Sequence, residues 1–198
     1  MNPARMGFGL LRVLNDDIIE PGAGFPTHHH DNMEIVTIVL EGTLHHKDST
    51  GGEGTINTGE IQGMSAGSGI YHSEFNASDK ERVHLLQIWV ETAGEVKAGY
   101  AQKSIKIKRN ELVPVVGKGG LSINQQATFL LAELGRGVEV AHNIAQGHGA
   151  YVFIIDGSAQ IANQTLKEAD AAGVTDTTKF SIKAVDDCKV LVIDVPME

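Results

Sequence analysis

Polar and apolar positions along the chain either alternate or fall into short β-branched blocks, and no stretch holds a helical period for more than a turn. The clearest block, residues 34–40 (EIVTIVL), is β-branched on both faces and predicts a strand covered on both sides. Around it the pattern predicts strands at residues 10–13, 18–19, 43–47, 55–56, 61–65, 70–74 and 83–90. Turn residues separate them: Asn15, Asp16 and Asp17, then 21–24, Gly42, 48–54, 58–60 and 66–69. A turn signal about every 8–12 residues is the rhythm of a sandwich, barrel or jelly roll.

Residues 100–110 predict a crossing strand that is basic on one side, with Lys103, Lys106, Lys108 and Arg109 as a solvated edge. Residues 116–120 are the best boundary, so the expected organisation is a first domain at 1–98, a connector at 99–118 and a second domain at 119–198. The second half restarts the β pattern at 121–123, 127–134, 138–143, 151–156, 158–161 and 190–195. Residues 151–157 echo 34–42 as an apolar strand ending in an acid and a glycine, a sign of internal duplication. One short helical turn is expected at 166–172.

Composition agrees with an all-β chain: 23 glycines and 5% aromatics among 198 residues suit many tight turns between short strands. A net charge of −9 and a pI near 5.4 argue against direct nucleic-acid binding and against docking on anionic lipid. The single cysteine, Cys188, excludes an intramolecular disulfide. Its apolar neighbours predict a buried, reduced thiol. With no signal-peptide pattern and no apolar run of membrane length, the expectation is a soluble, cytoplasmic protein.

Candidate chemistry sits in residues 22–76, where two pairs of side chains fit to hold a metal recur at spacing two: His28 with His30, and His72 with Glu74. Successive strand side chains point to opposite faces, so each pair shares a face and His29 points away. If the two faces look at each other, three imidazoles and a carboxylate converge. That set suits a divalent first-row metal and leaves a six-coordinate ion open to water or substrate. His142 and His148 stand alone in the second half and read as surface or hydrogen-bonded loop histidines.

Gly22-x5-His28-x-His30-x3-Glu34, followed by Gly69-x2-His72-x3-Asn76, resembles the two-part signature of the cupin superfamily. The longer runs GFPTHHHDNMEIVTIVLEGTLHHKDSTG, MSAGSGIYHSEFN and HLLQIWV are similar to the pirin family, especially its bacterial quercetinase-like members. The resemblance is specific from residue 6 to residue 90, and looser beyond. It implies an all-β bicupin of two jelly-roll barrels, the first without the family's usual N-terminal strands, and the second degenerate and without metal ligands. The ligands carry over to His28, His30, His72 and Glu74, with Glu74 also as catalytic base. This chain departs from the family in placing His29 between the two ligand histidines. Glu34 holds the glutamate position of the general cupin signature, which pirins replace with the Glu74 position. Glu34 is therefore expected behind the ligands or in a salt bridge; His46 and His84, on predicted strands next to the site, are expected either to orient a ligand or substrate through a ring N–H or to be core histidines satisfied by backbone.

The resemblance further implies one divalent transition metal, iron first, with copper, nickel, manganese, cobalt or zinc as alternatives. The expected activity is a dioxygenase that cleaves a flavonol such as quercetin with O2. The alternative is a metal-binding regulatory pirin that docks on a protein partner without turnover.

Overall fold

The computed structural model describes residues 7–198, which form eighteen β-strands and no helix. The chain folds into two compact units. The first is Leu11–Ile105 with Leu121–Gln125. The second is Lys106–Gly120 and Gln126–Glu198, with residues 7–10.

The first unit holds β1 (Leu11–Ile19), β2 (Gly24–His30), β3 (Met33–Glu41), β4 (Thr43–Asp48), β5 (Glu53–Asn57), β6 (Glu60–Ser65), β7 (Ile70–Asn76), β8 (Val83–Glu91) and β9 (Gly99–Ser104). They build two antiparallel sheets, in the orders β1-β8-β3-β6-β9 and β2-β7-β4-β5. The second unit holds β10 (Val113–Val116), β11 (Thr128–Leu134), β12 (Glu139–Asn143), β13 (His148–Asp156), β14 (Ser158–Ile161), β15 (Gln164–Lys167), β16 (Ala171–Val174), β17 (Lys179–Ala184) and β18 (Cys188–Pro196). Its sheets run β10-β11-β18-β13-β16 and β12-β17-β14-β15. Without the extra edge strands β9 and β10, each unit is an eight-stranded jelly roll, and the two strand orders match one to one. The echo between residues 34–42 and 151–157 thus belongs to a duplication of the whole topology.

The two interiors differ. Of the twelve buried polar residues, ten lie in the first unit: His30, Glu34, Thr37, His46, Asp48, Gln62, His72, Glu74, Asn76 and Gln87. The second unit is filled by one apolar cluster that includes Leu130, Ile154, Phe180 and Ile182. Buried polar groups are costly unless they are paired, so the unit that retains them is where chemistry is to be sought.

Several elements differ from the pattern-based expectation. Asn15, Asp16 and Asp17 do not turn the chain: β1 runs through them, in register with β8 from Val13↔Trp89 to Ile19↔Val83. A ladder on this scale outweighs the turn preference of three polar residues, and Asp16 bonds to His84 across it. The helical turn at 166–172 is absent. Leu166 is buried between exposed neighbours in β15, which pairs with β14, and Ala169 at φ +64° turns the chain into β16. The crossing strand over 100–110 stops at Ser104. Beyond it Lys108 pairs with Glu111, and Arg109 with Asp187. Residues 121–123 form no strand, whereas β10 and β17 arise where no strand is expected.

Candidate metal centre

β2 and β7 lie side by side, and their register sets His28 opposite His72 and Phe25 opposite Glu74, with a bulge between. Two backbone features allow this approach. Gly24 passes so close to β7 that a Cβ there would lie 2.3 Å from the Glu74 carbonyl oxygen. Gly69 turns the chain into β7 at φ +145°, and a Cβ on it would lie 2.8 Å from His29 Nε2.

β7 alternates cleanly: Ile70, His72, Glu74 and Asn76 are buried, while Tyr71 and Phe75 are exposed. On the inner face the rings of His28, His30 and His72 converge, with centroids 4.3 Å apart for His28–His72, 4.9 Å for His30–His72 and 4.7 Å for His28–His30. His29 points away and packs on Tyr71. Trp89 closes one side, edge-on to His30 at 4.6 Å.

The donor atoms fall into two groups that share His72. One is His28, His30 and His72; the other is His46, His72 and Glu74. Within each group the donor atoms lie within 4.8 Å of one another. Glu74 thus joins His72 but is not grouped with His28 and His30. Its carboxylate is instead held from behind, accepting from Gln87 Nε2 at Oε2 (2.5 Å) and from the Thr37 hydroxyl at Oε1 (3.4 Å).

Several ring nitrogens are set up as lone-pair donors. His28 Nδ1 lies 2.8 Å from the Pro26 carbonyl, which can only accept, so Nδ1 carries the proton and Nε2 is free. His30 Nε2, His46 Nδ1 and both nitrogens of His72 are buried with no hydrogen-bond partner. A buried polar atom left unpaired costs about 1–3 kcal/mol, so this concentration of orphans marks a place where an ion or water completes the structure. Imidazoles with one carboxylate match the donor preference of divalent first-row metals, and the residues therefore fit such a metal.

Electrostatics agree. Burial, then the neighbouring imidazoles, lowers His72 to about 3 and His30 to about 4, so both rings are neutral at pH 7, the form that ligates. Burial raises Glu74 above the ordinary carboxylate range, against the opposing hydrogen bond from Gln87.

The expected supporting residues are placed differently from one another. His46 lies on β4 directly opposite Glu74 and belongs to the cluster. Glu34 is fully buried but outside both donor groups: its carboxylate accepts from Ser65 and Thr92 hydroxyls and from the Asn124 backbone N–H. Its work is to tie down residues 121–125. His84 lies on the opposite face of β8 from Gln87 and bonds to Asp16, so it does not back the site. Two residues absent from the expected set prove central. Gln87 holds Glu74, and Asp48, opposite His72 on β4, holds His46. His46-x-Asp48 repeats on β4 the spacing of two that marks β2 and β7, and that repetition was the available signal.

In the second unit, His142 and His148 converge on the buried Asp194, each donating to one carboxylate oxygen (2.7 and 2.6 Å). β12 and β17, the counterparts of β2 and β7, turn Val140, His142, Phe180 and Ile182 inward. Among the described residues no group of metal-binding side chains lies there.

Comparisons with known proteins converge. Residues 1–90 match the Pirin family and residues 114–195 match the quercetinase C-terminal cupin domain family. The chain is 39% identical to the quercetin 2,3-dioxygenase of Escherichia coli (strain K12), covering 98% of this chain and 86% of that protein. It is 32% identical to a pirin-like protein of Caulobacter vibrioides, covering 98% and 86%. Among solved structures, bacterial pirin YhhW from Escherichia coli in complex with nickel(II) superimposes with a TM-score of 0.93 at 36% identity, covering 99% of this chain and 86% of that one.

Proposed function

The chain belongs to the pirin family of bicupins, and on that premise we propose that it is a metal-dependent dioxygenase that cleaves a flavonol such as quercetin. The observation that carries this reading is the set of buried, unpartnered imidazole nitrogens beside a buried carboxylate. His28, His30, His72 and Glu74 would hold one divalent metal. Iron is the first to test, with copper, nickel, manganese, cobalt and zinc next; a nickel(II) complex exists for the YhhW relative.

When bound, the metal supplies a Lewis acid beside the flavonol's enolic hydroxyl and adjacent oxygen. The chain's own residues do the rest. Glu74, raised by burial, is suited to accept the hydroxyl proton, because a general base works best with a pKa near the operating pH. Gln87 and Thr37 keep its carboxylate aimed during that transfer. Trp89 donates its indole N–H to Gln87 Oε1 at 3.1 Å, which fixes which end of the amide faces Glu74. The ring carbon to which the resulting enolate delocalises its charge then reacts with O2. Both oxygen atoms enter the ring-opened product, one carbon leaves as carbon monoxide, and Glu74 returns its proton.

The test is direct. Protein loaded in turn with each metal is mixed with quercetin under air, while the flavonol absorption band and carbon monoxide are followed. Loss of the band with release of carbon monoxide supports the reading, and an unchanged band with every metal ends it.

A regulatory pirin is the second reading. The outer face of β7 exposes Tyr71 (56%) and Phe75 (38%), a place where a protein partner could dock. Stoichiometric metal without turnover would favour it. The buried thiol of Cys188 fits a cytoplasmic setting under either reading.

A further inference from the structure

Asp48 ends β4 with its side chain fully shielded from solvent, and its carboxylate is saturated with donors. Oδ1 accepts from the Thr50 backbone N–H (2.8 Å), the Thr50 hydroxyl (2.6 Å) and the Gly52 N–H (3.1 Å). An oxygen that takes three donors, two of them backbone N–H groups, belongs to an ionised carboxylate, which can only accept.

Oδ2 lies 3.0 Å from His46 Nε2. The Nε2 position of His46 must then carry the proton, and Nδ1 must carry the lone pair. That Nδ1 is buried and has no hydrogen-bond partner. His46 belongs to the group in which one donor atom from each of His46, His72 and Glu74 lies within 4.8 Å of the others. The ring is clamped on its other side too, because Tyr100 stacks on it at a centroid distance of 5.0 Å and an interplanar angle of 29°. A surface histidine could turn its lone pair toward water; this one is fixed by a carboxylate and an aromatic face, and its free nitrogen is buried.

We propose that His46 is a fifth donor of the metal centre, acting through Nδ1, and that Asp48 is the positioning residue that fixes its tautomer and aim. This rests on the metal-site reading above and adds to it. The arrangement follows the general habit of metal-bound imidazoles, whose second nitrogen donates to a carboxylate that orients the ring and strengthens it as a ligand. Glu74, held back by Gln87 and Thr37, would then be the more easily released of the two donors next to His72, free to carry a proton while His46 stays in place.

The test uses the full chain loaded with Co(II), with histidine ring nitrogens labelled with ¹⁵N, beside His46→Phe and Asp48→Asn. In the unaltered protein, the His46 Nε2–H should appear as a slowly exchanging proton resonance with a large paramagnetic shift. His46→Phe should lose that one resonance, keep those of the remaining ligand imidazoles, and bind Co(II) about 10- to 100-fold more weakly in a chelator competition. Asp48→Asn, whose amide can donate to Nε2 and so reverse the tautomer, should lose the same resonance and weaken binding to a similar extent. It is nearly isosteric, so it keeps the question answerable if His46→Phe fails to fold. Co(II) affinity within twofold of the unaltered protein in the folded variant, with the shifted resonances unchanged, overturns the proposal. If the unaltered protein binds no Co(II), both this proposal and the metal-site reading fall. If it binds Co(II) through His46 yet leaves quercetin untouched with every metal, only the flavonol reading falls.

Discussion

Gln87 donates its side-chain N–H to Glu74 Oε2 at 2.5 Å, inside a barrel where both residues are buried. A hydrogen bond to a buried charged group contributes about 1.5–3 kcal/mol. Gln87→Leu keeps the approximate volume and removes the donor, so metal-free protein at pH 7 should lose roughly that much stability in a urea titration. Burial raises Glu74, so the carboxylate takes up its proton earlier than an ordinary one as pH falls, and the loss should be smaller at pH 4. Equal losses at the two pH values would show that Gln87 acts only by filling space.

Acid should destabilise the metal-free protein through His30 and His72. Their folded values, about 4 and about 3, lie below the unfolded 6.5, chiefly through burial. Between those limits the unfolded chain binds protons that the folded chain refuses, so their contribution is complete above pH 6.5 and is lost as pH falls. Glu74 and Asp17, both raised by burial, work in the opposite direction as pH rises, so the histidine contribution is read from the difference that His72→Gln makes. The melting temperature of metal-free protein should therefore climb more steeply from pH 4.5 to 6.5 than that of His72→Gln. Parallel profiles would contradict these assignments.

Cys188 is buried, and its thiol is pushed up to about 11 by burial and then by the nearby Asp156, Asp187 and Asp186. Since the thiolate is the reactive form, folded protein at pH 8 should resist iodoacetamide. Mass spectrometry should find one adduct only after denaturation. Rapid labelling of the folded chain would place the thiol elsewhere than in the second unit's core.

Asp194→Asn should destabilise the second unit and spare the metal. One carboxylate serves both His142 and His148, and the amide can accept at only one end, so about 1–3 kcal/mol should be lost. Metal stoichiometry should hold, because every candidate donor lies between His28 and Glu74. A drop in bound metal in folded Asp194→Asn protein would refute that separation.

What could be read from the residues was local. His28 with His30, and His72 with Glu74, declare themselves because a strand's period of two converts spacing directly into a shared face. The same rule applied to His46 and Asp48, but the polar run after Lys47 resembled the start of a loop, and only the β4–β7 ladder shows Asp48 facing inward. Gln87 carried no such mark, since its role depends on a partner thirteen positions away on the other sheet of the unit. His142, His148 and Asp194 meet only after β12, β13 and β18 have assembled. The strands β15 and β16 were hidden for another reason: a stretch rich in Ala, Lys and Glu favours helix in isolation, and pairing at the edges of two sheets, with β14 and with β13, overrode it.

The twin barrels also amount to a natural substitution experiment on one scaffold. His142, Ile144, Phe180 and Ile182 occupy, at the end of β12 and on β17, the sites that β2 and β7 give to His28, His30, His72 and Glu74. Reactivity in this architecture thus resides in a handful of interchangeable side chains on two neighbouring strands. A protein engineer seeking a second reactive centre would start at those four positions and expect to give up apolar cohesion in the second barrel for each ligand introduced.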